Sequence, residues 1–317
     1  MTKETSKNKL STETYKGVRD FYPEDMAVQN YIFSVWRKVA ERFRYEEYGA
    51  SILEPAELYR TKGSDEIVNE QMFTFTDRGG REVALRPEMT PTLARMVAAR
   101  RKALKFPLRW YAIANCFRYE RPQRGRRREH WQLNCDLMGV SGVEGDVEII
   151  SLAHAIMKEF GARDEDFIIK ISNRRKLENA LLANRIAKEN VPAIFRLLDK
   201  KGKMPEEERK SELEKLGYNK TTTISTGAPD AENLRQRGIT NIEFDSSIVR
   251  GFDYYTGMVF EVFDTSPESR RSLFGGGRYD NLLEMFGVEP IPTVGFGMGD
   301  VTIWDFLETH KLQMKYQ

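Results

Sequence analysis

Apolar residues recur in this chain at two spacings. Ile32, Val35, Trp36, Val39, Ala40 and Phe43 fall near the 3.6-residue period, which predicts an amphipathic helix opening at Pro23-Glu24-Asp25. Farther on, Trp131, Leu133, Cys135 and Leu137 alternate with Gln132, Asn134 and Asp136, which predicts a strand with one apolar and one polar, partly acidic face. The run Arg109 to Phe117 is apolar enough for an interior strand and pairs with it as an antiparallel hairpin. The same reading predicts a strand from Tyr48 to Glu54 and a hairpin of Met72 to Asp77 with Glu82 to Arg86 around Gly79-Gly80. Helices are predicted from Thr90 to Lys102, Gly145 to Phe160 and Val301 to Thr309, and further strands over Phe167–Ile171, Asn241–Val249, Met258–Phe263 and Pro292–Gly297. Strands and helices do not alternate as regular βαβ units, so an α+β fold, an antiparallel sheet flanked by helices, is favoured over a Rossmann-like one.

Residues 1–14 are polar and read as a disordered tail. Between 173 and 238 the texture changes: Lys and Glu are dense, apolar residues keep helical spacing, and Lys200-Lys201-Gly202-Lys203-Met204-Pro205 breaks the run. That stretch reads as a helical insertion between the two parts, 15–172 and 239–317, of one domain. Its basic residues fit a solvated helical surface or a nucleic-acid face.

The hairpin's tip carries the candidate chemistry. Six arginines lie among the eleven residues from Arg118 to Arg128, with Pro122 and Gly125 marking a turn. So much like charge repels itself unless an anion sits there, and arginine suits planar phosphate contacts. A phosphate-rich ligand is one reading; a solvated basic loop is the other. The net charge of +2 makes the basicity local, so the chain is no polybasic nucleic-acid coat. The two cysteines, Cys116 and Cys135, sit one in each arm of the hairpin and read as reduced core residues. With only three histidines, His130, His154 and His310, no metal cluster or Ser-His-Asp triad assembles convincingly. No run of about 18 apolar residues occurs and the first residues are polar, which leads to the expectation of a soluble, cytoplasmic protein.

Three further stretches stand out. Arg250-Gly251-Phe252-Asp253-Tyr254-Tyr255-Thr256-Gly257 sets a cation, an acid and two phenols between glycines; as a strand it would place Arg250 and Tyr254 on one face and Asp253 and Tyr255 on the other. Arg86-Pro87-Glu88-Met89-Thr90-Pro91-Thr92 puts a carboxylate and two hydroxyls at a helix start, as a cap or as an ammonium site. Gly275-Gly276-Gly277-Arg278-Tyr279-Asp280 is weaker, since a glycine run can be an ordinary loop and no P-loop pattern is present.

Taken together, from about Tyr15 to about Leu307, these stretches resemble the catalytic part of histidyl-tRNA synthetases, class II aminoacyl-tRNA synthetases. The helix ending near Arg44 with the strand to Pro55 matches motif 1, and Phe117-Arg118-Tyr119-Glu120-Arg121-Pro122-Gln123 with the strand through Asp136 matches motif 2. Leu85 to Thr90 and Arg250 to Gly257 match the two histidine-specific blocks. The resemblance implies a class II fold, a homodimer formed through motif 1, and ATP-dependent activation of L-histidine followed by transfer to tRNA(His), with Mg2+ bridging the ATP phosphates. It implies Arg118, Glu120, Arg126 and Arg250 around ATP, with Arg118 and Arg250 stabilising charge at the α-phosphate. Glu88, Thr90 and Gln132 would bind the histidine amino group, Asp136 and Tyr255 would read its imidazole with Tyr254 beside them, and Met89 belongs to the same histidine-binding set. Arg121 and Gln123 would meet the acceptor end of tRNA. Two departures stand out. Thr302 occupies about the place of the usual motif 3 arginine, with Arg278 or Arg126 the candidates to take over. The α/β anticodon-binding domain expected after the catalytic part does not follow, the chain given ending at Gln317.

The rival reading is the histidine-sensing regulatory subunit of ATP phosphoribosyltransferase, which resembles this fold. A full set of phosphate-binding arginines argues for the synthetase. A generic RNA-binding module would account for the arginine loop but not for residues 250–257.

Overall fold

The computed structural model describes residues 10–61, 67–201, 204–218, 229–249, 254–269 and 272–314. The strands are β1 Glu46–Glu47, β2 Leu53–Pro55, β3 Phe73–Thr76, β4 Glu82–Leu85, β5 Leu108–Phe117, β6 Glu129–Met138, β7 Phe167–Asn173, β8 Ile242–Phe244, β9 Met258–Asp264, β10 Ser272–Arg278 and β11 Thr293–Gly299. The α-helices are α1 Pro23–Arg42, α2 Glu57–Arg60, α3 Thr90–Arg100, α4 Val143–Glu159, α5 Arg174–Ala183, α6 Val191–Asp199, α7 Glu206–Lys215, α8 Pro229–Gln236 and α9 Asp300–Thr309.

Eight strands form one sheet in the order β1-β5-β6-β11-β10-β9-β7-β8, and β2-β4-β3 form a small second sheet. Only β1 with β5 and β7 with β8 pair parallel; every other neighbour is antiparallel. The chain is therefore α+β, with a mainly antiparallel sheet between helical layers, as the element pattern predicts.

The period-2 pattern of β6 decides the two faces. Leu133, Cys135 and Leu137 enter the main core with Ile32, Trp36 and Val39 of α1, Ile149, Ile150 and Ala153 of α4, and Ile303 and Phe306 of α9. Gln132, Asn134 and Asp136 face the other way, toward α3 and a second core that holds Leu93, Ala94, Val97, Tyr254, Tyr255 and Tyr279. α1 begins as expected, with Pro23 in its first turn and the Asp25 carboxylate accepting from the Tyr22 amide at 3.1 Å.

Several expectations change. Of the predicted strand over 48–54 only Leu53 and Glu54, together with Pro55, pair as a strand in the small sheet, while Glu46 and Glu47 just before it pair with the large one. The stretch Asn241–Val249 contributes only the three residues of β8, after which Asp245 accepts from the Ser247 amide in a turn. The glycine run lies in β10, a central strand. A Cβ at Gly276 would fall on the Gly295 carbonyl oxygen and stand 2.6 Å from the Phe296 Cα, so this strand crossing admits no side chain.

Within residues 173–238, α5, α6 and α7 share a separate core of Leu177, Leu181, Ile194, Phe195, Leu198 and Leu213. α8 does not join it; Ala231 and Leu234 pack into the main core. Val249 is buried in the core of α5–α7, so that helical unit touches the segment just before Arg250.

Candidate active site

The polar face of β6 is the floor of a cavity of about 100 Å³. Gln132, Asn134 and Asp136 line it at every second position, and the Gln132 amide donates to Asn134 Oδ1 at 2.9 Å. Asp136 is 2% exposed; one carboxylate oxygen accepts from the Tyr279 hydroxyl, and Oδ2 has no partner. Burial lifts its pKa to about 7, against the hydrogen bond from Tyr279.

A second carboxylate faces the same space from just before α3. Glu88 is 3% exposed, Tyr254 donates to its Oε2 at 3.0 Å, and Oε1 has no partner. Burial raises this group also to about 7, against Arg118 and Tyr254. Thr90 borders the cavity beside it. Three phenols form the wall: ring centroids of Tyr254 and Tyr255 are 5.0 Å apart, Tyr254 and Tyr279 5.6 Å, and Tyr255 and Tyr279 6.1 Å.

Two buried carboxylates, each with one oxygen unpaired, are costly without a ligand. A molecule offering two separate donor-rich groups, such as an ammonium and a ring N–H, would satisfy both.

Arg118 closes the cavity from the end of β5, its Nε donating to the Pro87 carbonyl at 2.9 Å. Beyond it the loop folds back as a hairpin. The Arg118 amide bonds the Arg128 carbonyl at 2.8 Å, and Gln123 and Arg126 exchange backbone bonds of 3.1 and 2.9 Å about a turn with Gly125 at φ +73°. Arg126 lies 3.4 Å from Glu120, while Arg121, Gln123, Arg124 and Arg127 are exposed.

Glu88, Thr90, Arg118, Gln132, Asp136, Tyr254 and Tyr255 thus surround one cavity, while Glu120, Arg121, Gln123 and Arg126 lie on the adjoining loop. Met89 does not line the cavity; it is fully buried, with its sulfur 3.4 Å from Arg86 Nη1, among Ala112, Ala114 and Cys116. Arg250 and residues 251–253 lie outside the described residues. The assignment of Tyr254 and Tyr255 to opposite strand faces is corrected: both line the cavity, because they sit in a turn ahead of β9. The Thr302 hydroxyl donates to the Leu273 carbonyl at 2.7 Å. Arg278, a candidate to stand in for an arginine at position 302, is engaged elsewhere. Its guanidinium is buried against Asp146 at 2.6 Å and donates to the Val140 and Gly142 carbonyls, at the start of α4.

Tyr279 and Asn134 also border the cavity, and the sequence reading did not assign them a site role. Nothing here is set up as a nucleophile. Burial pushes the Cys116 thiol up to about 11 and the Cys135 thiol well above its ordinary value, and it lowers His130 to about 3, keeping the imidazole neutral. Among the described residues no group of three or more His, Cys, Asp or Glu could hold a metal ion. What the arrangement offers is electrostatic: two buried carboxyl groups in a small cavity, beside a hairpin rich in arginine.

The family model for histidyl-tRNA synthetase matches residues 17–206 and 230–300. A histidine–tRNA ligase of Leptospira biflexa is 44% identical over 96% of this chain and 76% of that protein. The chloroplastic/mitochondrial histidine–tRNA ligase of Arabidopsis thaliana is 38% identical over 98% of this chain and 69% of its own length. Among solved structures, a histidine–tRNA ligase subunit from Alicyclobacillus acidocaldarius superposes with a TM-score of 0.79 at 23% identity, covering 96% of this chain and 99% of that one. A Bacillus halodurans chain described as an ATP phosphoribosyltransferase regulatory subunit/histidyl-tRNA synthetase gives 0.75 at 24% identity, over 96% of this chain and 84% of its own; both likenesses concern the fold alone. With the family model matching most of the chain and ligases at this identity spanning nearly all of it, the chain belongs to the histidyl-tRNA synthetase family.

Proposed function

We infer that this chain works as a histidine–tRNA ligase: it activates L-histidine with ATP to histidyl-adenylate and pyrophosphate, then passes the histidyl group to tRNA(His). The supporting observation is the pair of half-satisfied buried carboxylates beside an arginine hairpin. Glu88, with Thr90 and Gln132, receives the α-ammonium; Asp136, steadied by Tyr279 and walled by Tyr254 and Tyr255, receives the imidazole N–H. The histidine carboxylate then lies toward Arg118 and attacks the α-phosphate of ATP. The attack builds negative charge, so catalysis comes from placement and fixed cations. Arg118 and Arg250 supply the charge at the α-phosphate, and Glu120 and Arg126 lie alongside ATP. Arg121 and Gln123 meet the acceptor end of tRNA. Mg2+ would come held by the ATP phosphates, with Glu120 the carboxylate on the hairpin. We further assign a homodimer built through the α1–β2 region, a cytoplasmic location, and a catalytic domain of residues 15–172 and 239–317 with a helical insertion at 173–238.

The regulatory-subunit reading is not favoured, since the curated relatives named above are ligases. Histidine-dependent ATP–pyrophosphate exchange separates the two. Exchange by the purified chain supports the ligase, whereas histidine binding without exchange would favour the sensor. Arg118→Ala and Arg250→Ala should each lower exchange about 100-fold without unfolding the chain, the size of effect seen when one transition-state donor is removed. Near-parental exchange in either would remove that arginine from the step.

The two carboxyls also set a pH dependence. Their folded pKa values of about 7 lie above the ordinary carboxylate range. Between that range and about 7 the folded state keeps protons that the unfolded state has lost. The ligand-free protein therefore loses stability as pH rises through this window and loses no more above it. A bound cation compensates the charge once it is present, so histidine should raise Tm more at pH 8 than at pH 6. An equal shift at both pH values would count against cation recognition by this pair.

A further inference from the structure

The arginine run is not uniform. Arg121, Arg124, Arg126 and Arg127 are exposed and Arg118 borders the cavity, but Arg128 is buried, 8% exposed. Its guanidinium is occupied. Nε donates to the Glu120 carbonyl at 3.1 Å and Nη1 to the Tyr15 hydroxyl at 3.0 Å, while Cζ lies 3.7 Å from the Tyr119 ring centroid and 5.6 Å from that of Tyr15. Both rings are held in turn: Phe73 packs edge-on at 5.4 Å from Tyr119 and 6.4 Å from Tyr15, and the Tyr119 amide bonds the Gln71 carbonyl at 2.7 Å.

The N-terminal segment completes the clamp. The Arg128 amide donates to the Gly17 carbonyl at 2.8 Å. Gly17 has φ +90°, and a Cβ there would stand 2.8 Å from Arg128 Cγ and 2.9 Å from Pro122 Cγ. The segment thus lies flat across the hairpin, and only glycine fits.

We propose that Arg128 is a positioning residue for adenylate formation: it pins the arginine hairpin against Tyr15, Gly17 and Tyr119 so that Arg118 and Arg126 meet the ATP phosphates already aligned. The proposal rests on the ligase reading given above. Four exposed arginines on one short loop repel one another, and an unanchored loop would have to be ordered by ATP at the expense of affinity. Arg128 opposes that splaying from inside. Its backbone carbonyl accepts the Arg118 amide at 2.8 Å, and its side chain fixes the Glu120 carbonyl, whose own carboxylate lies 3.4 Å from Arg126. Both proposed phosphate ligands are thereby tied to one buried residue, Arg118 through the backbone of Arg128 and Arg126, by way of Glu120, through its guanidinium. A cation stacked on one ring and bonded to two oxygens is a weak candidate for phosphate itself.

The test is kinetic and thermodynamic. Arg128→Met keeps an apolar stem and removes the fork. It should raise the ATP KM in pyrophosphate exchange about 10-fold, the scale of lost preorganisation, with the histidine KM changed less than about twofold and Tm nearly unchanged. Tyr119→Ala should move the ATP KM in the same direction, and the double variant should be no worse than Arg128→Met alone, because the two act as one unit. Calorimetric ATP binding to the same variants should weaken in parallel; it reads the proposal even if the parent chain shows no exchange, an outcome that would sink only the ligase reading. An ATP KM and Kd within about twofold of the parent would overturn the pin. So would equal losses for ATP and histidine, which mark general unfolding, or additive effects of the two substitutions, which would put Arg128 on the phosphate directly.

Discussion

Asp136→Asn is expected to weaken histidine binding about 1,000-fold while leaving the ligand-free protein at least as stable as the parent. The two effects have one cause. Asp136 is 2% exposed and has an oxygen with no partner, so its charge burdens the empty fold and is compensated only by a donor arriving in the cavity. Losing a hydrogen bond to a charged group costs roughly 1.5–3 kcal/mol and leaving a buried donor unpaired roughly 1–3 kcal/mol more, and about 4 kcal/mol is a thousandfold in affinity. Asn keeps the shape and can still accept from Tyr279, but it carries no charge and offers an amide N–H2 where the ligand offers a ring N–H. Glu88→Gln should act in the same direction through the ammonium. Calorimetric titration at pH 8, where the parent carboxylates are largely ionised, with thermal unfolding of the empty proteins, checks both signs. Affinity within tenfold of the parent, or a marked fall in Tm, would remove Asp136 from imidazole recognition.

Legibility in the sequence followed side-chain periodicity. The β5–β6 hairpin could be read because every second residue of β6 is apolar, and that alternation places Gln132 and Asp136 on one face, on the cavity floor. Glu88 and Thr90 could be read as a cluster at a helix start, but the residue between them points the other way. Met89 fills the small core around Ala112, Ala114 and Cys116, a direction that proximity in sequence does not convey. The β10 strand was hidden because Gly275, Gly276 and Gly277 have no side chains to alternate; a strand chosen for close backbone approach looks like a loop. Tyr279 was hidden for the same reason, since it directly follows that strand. α8 has the composition of the insertion, yet Ala231 and Leu234 join the main core, a tertiary choice with no local signal. Most misleading was arginine itself. Arg118 borders the cavity, Arg128 is clamped between rings, and Arg278 is spent on Asp146 at the start of α4. All three read alike as cations in a sequence, and only the neighbours of each guanidinium tell phosphate ligand from structural pin.

Gly295→Ala is expected to lower histidine-dependent exchange on the order of 100-fold or more, the penalty that a misplacement of about 1 Å can carry, with a loss of stability of roughly 1–3 kcal/mol. β11 runs beside β6 with Gly295 opposite Asp136, Gly297 opposite Asn134 and Gly299 opposite Gln132. These three glycines are not equivalent. A Cβ at Gly295 would land on the Tyr279 hydroxyl, 2.5 Å from Asp136 Oδ1 and 2.7 Å from the Cys135 carbonyl oxygen. That carbonyl belongs to a central strand and cannot yield, so the methyl must push apart the Tyr279–Asp136 pair, the proposed imidazole end of the cavity. At Gly297 the Cβ would meet the Gln132 side-chain amide, with its Cδ at 2.9 Å, a flexible group that can swing aside. At Gly299 nothing lies nearer than Thr302 Oγ1 at 3.7 Å, ordinary van der Waals contact. The expected order of damage is therefore Gly295→Ala well above Gly297→Ala, with Gly299→Ala close to the parent. Measuring exchange and Tm for the three variants checks it, and the loss at Gly295 should appear chiefly as a raised histidine KM. A similar loss at all three positions would mean that the glycines serve β11 as a whole, and that the missing side chain at Gly295 does not shape the imidazole site.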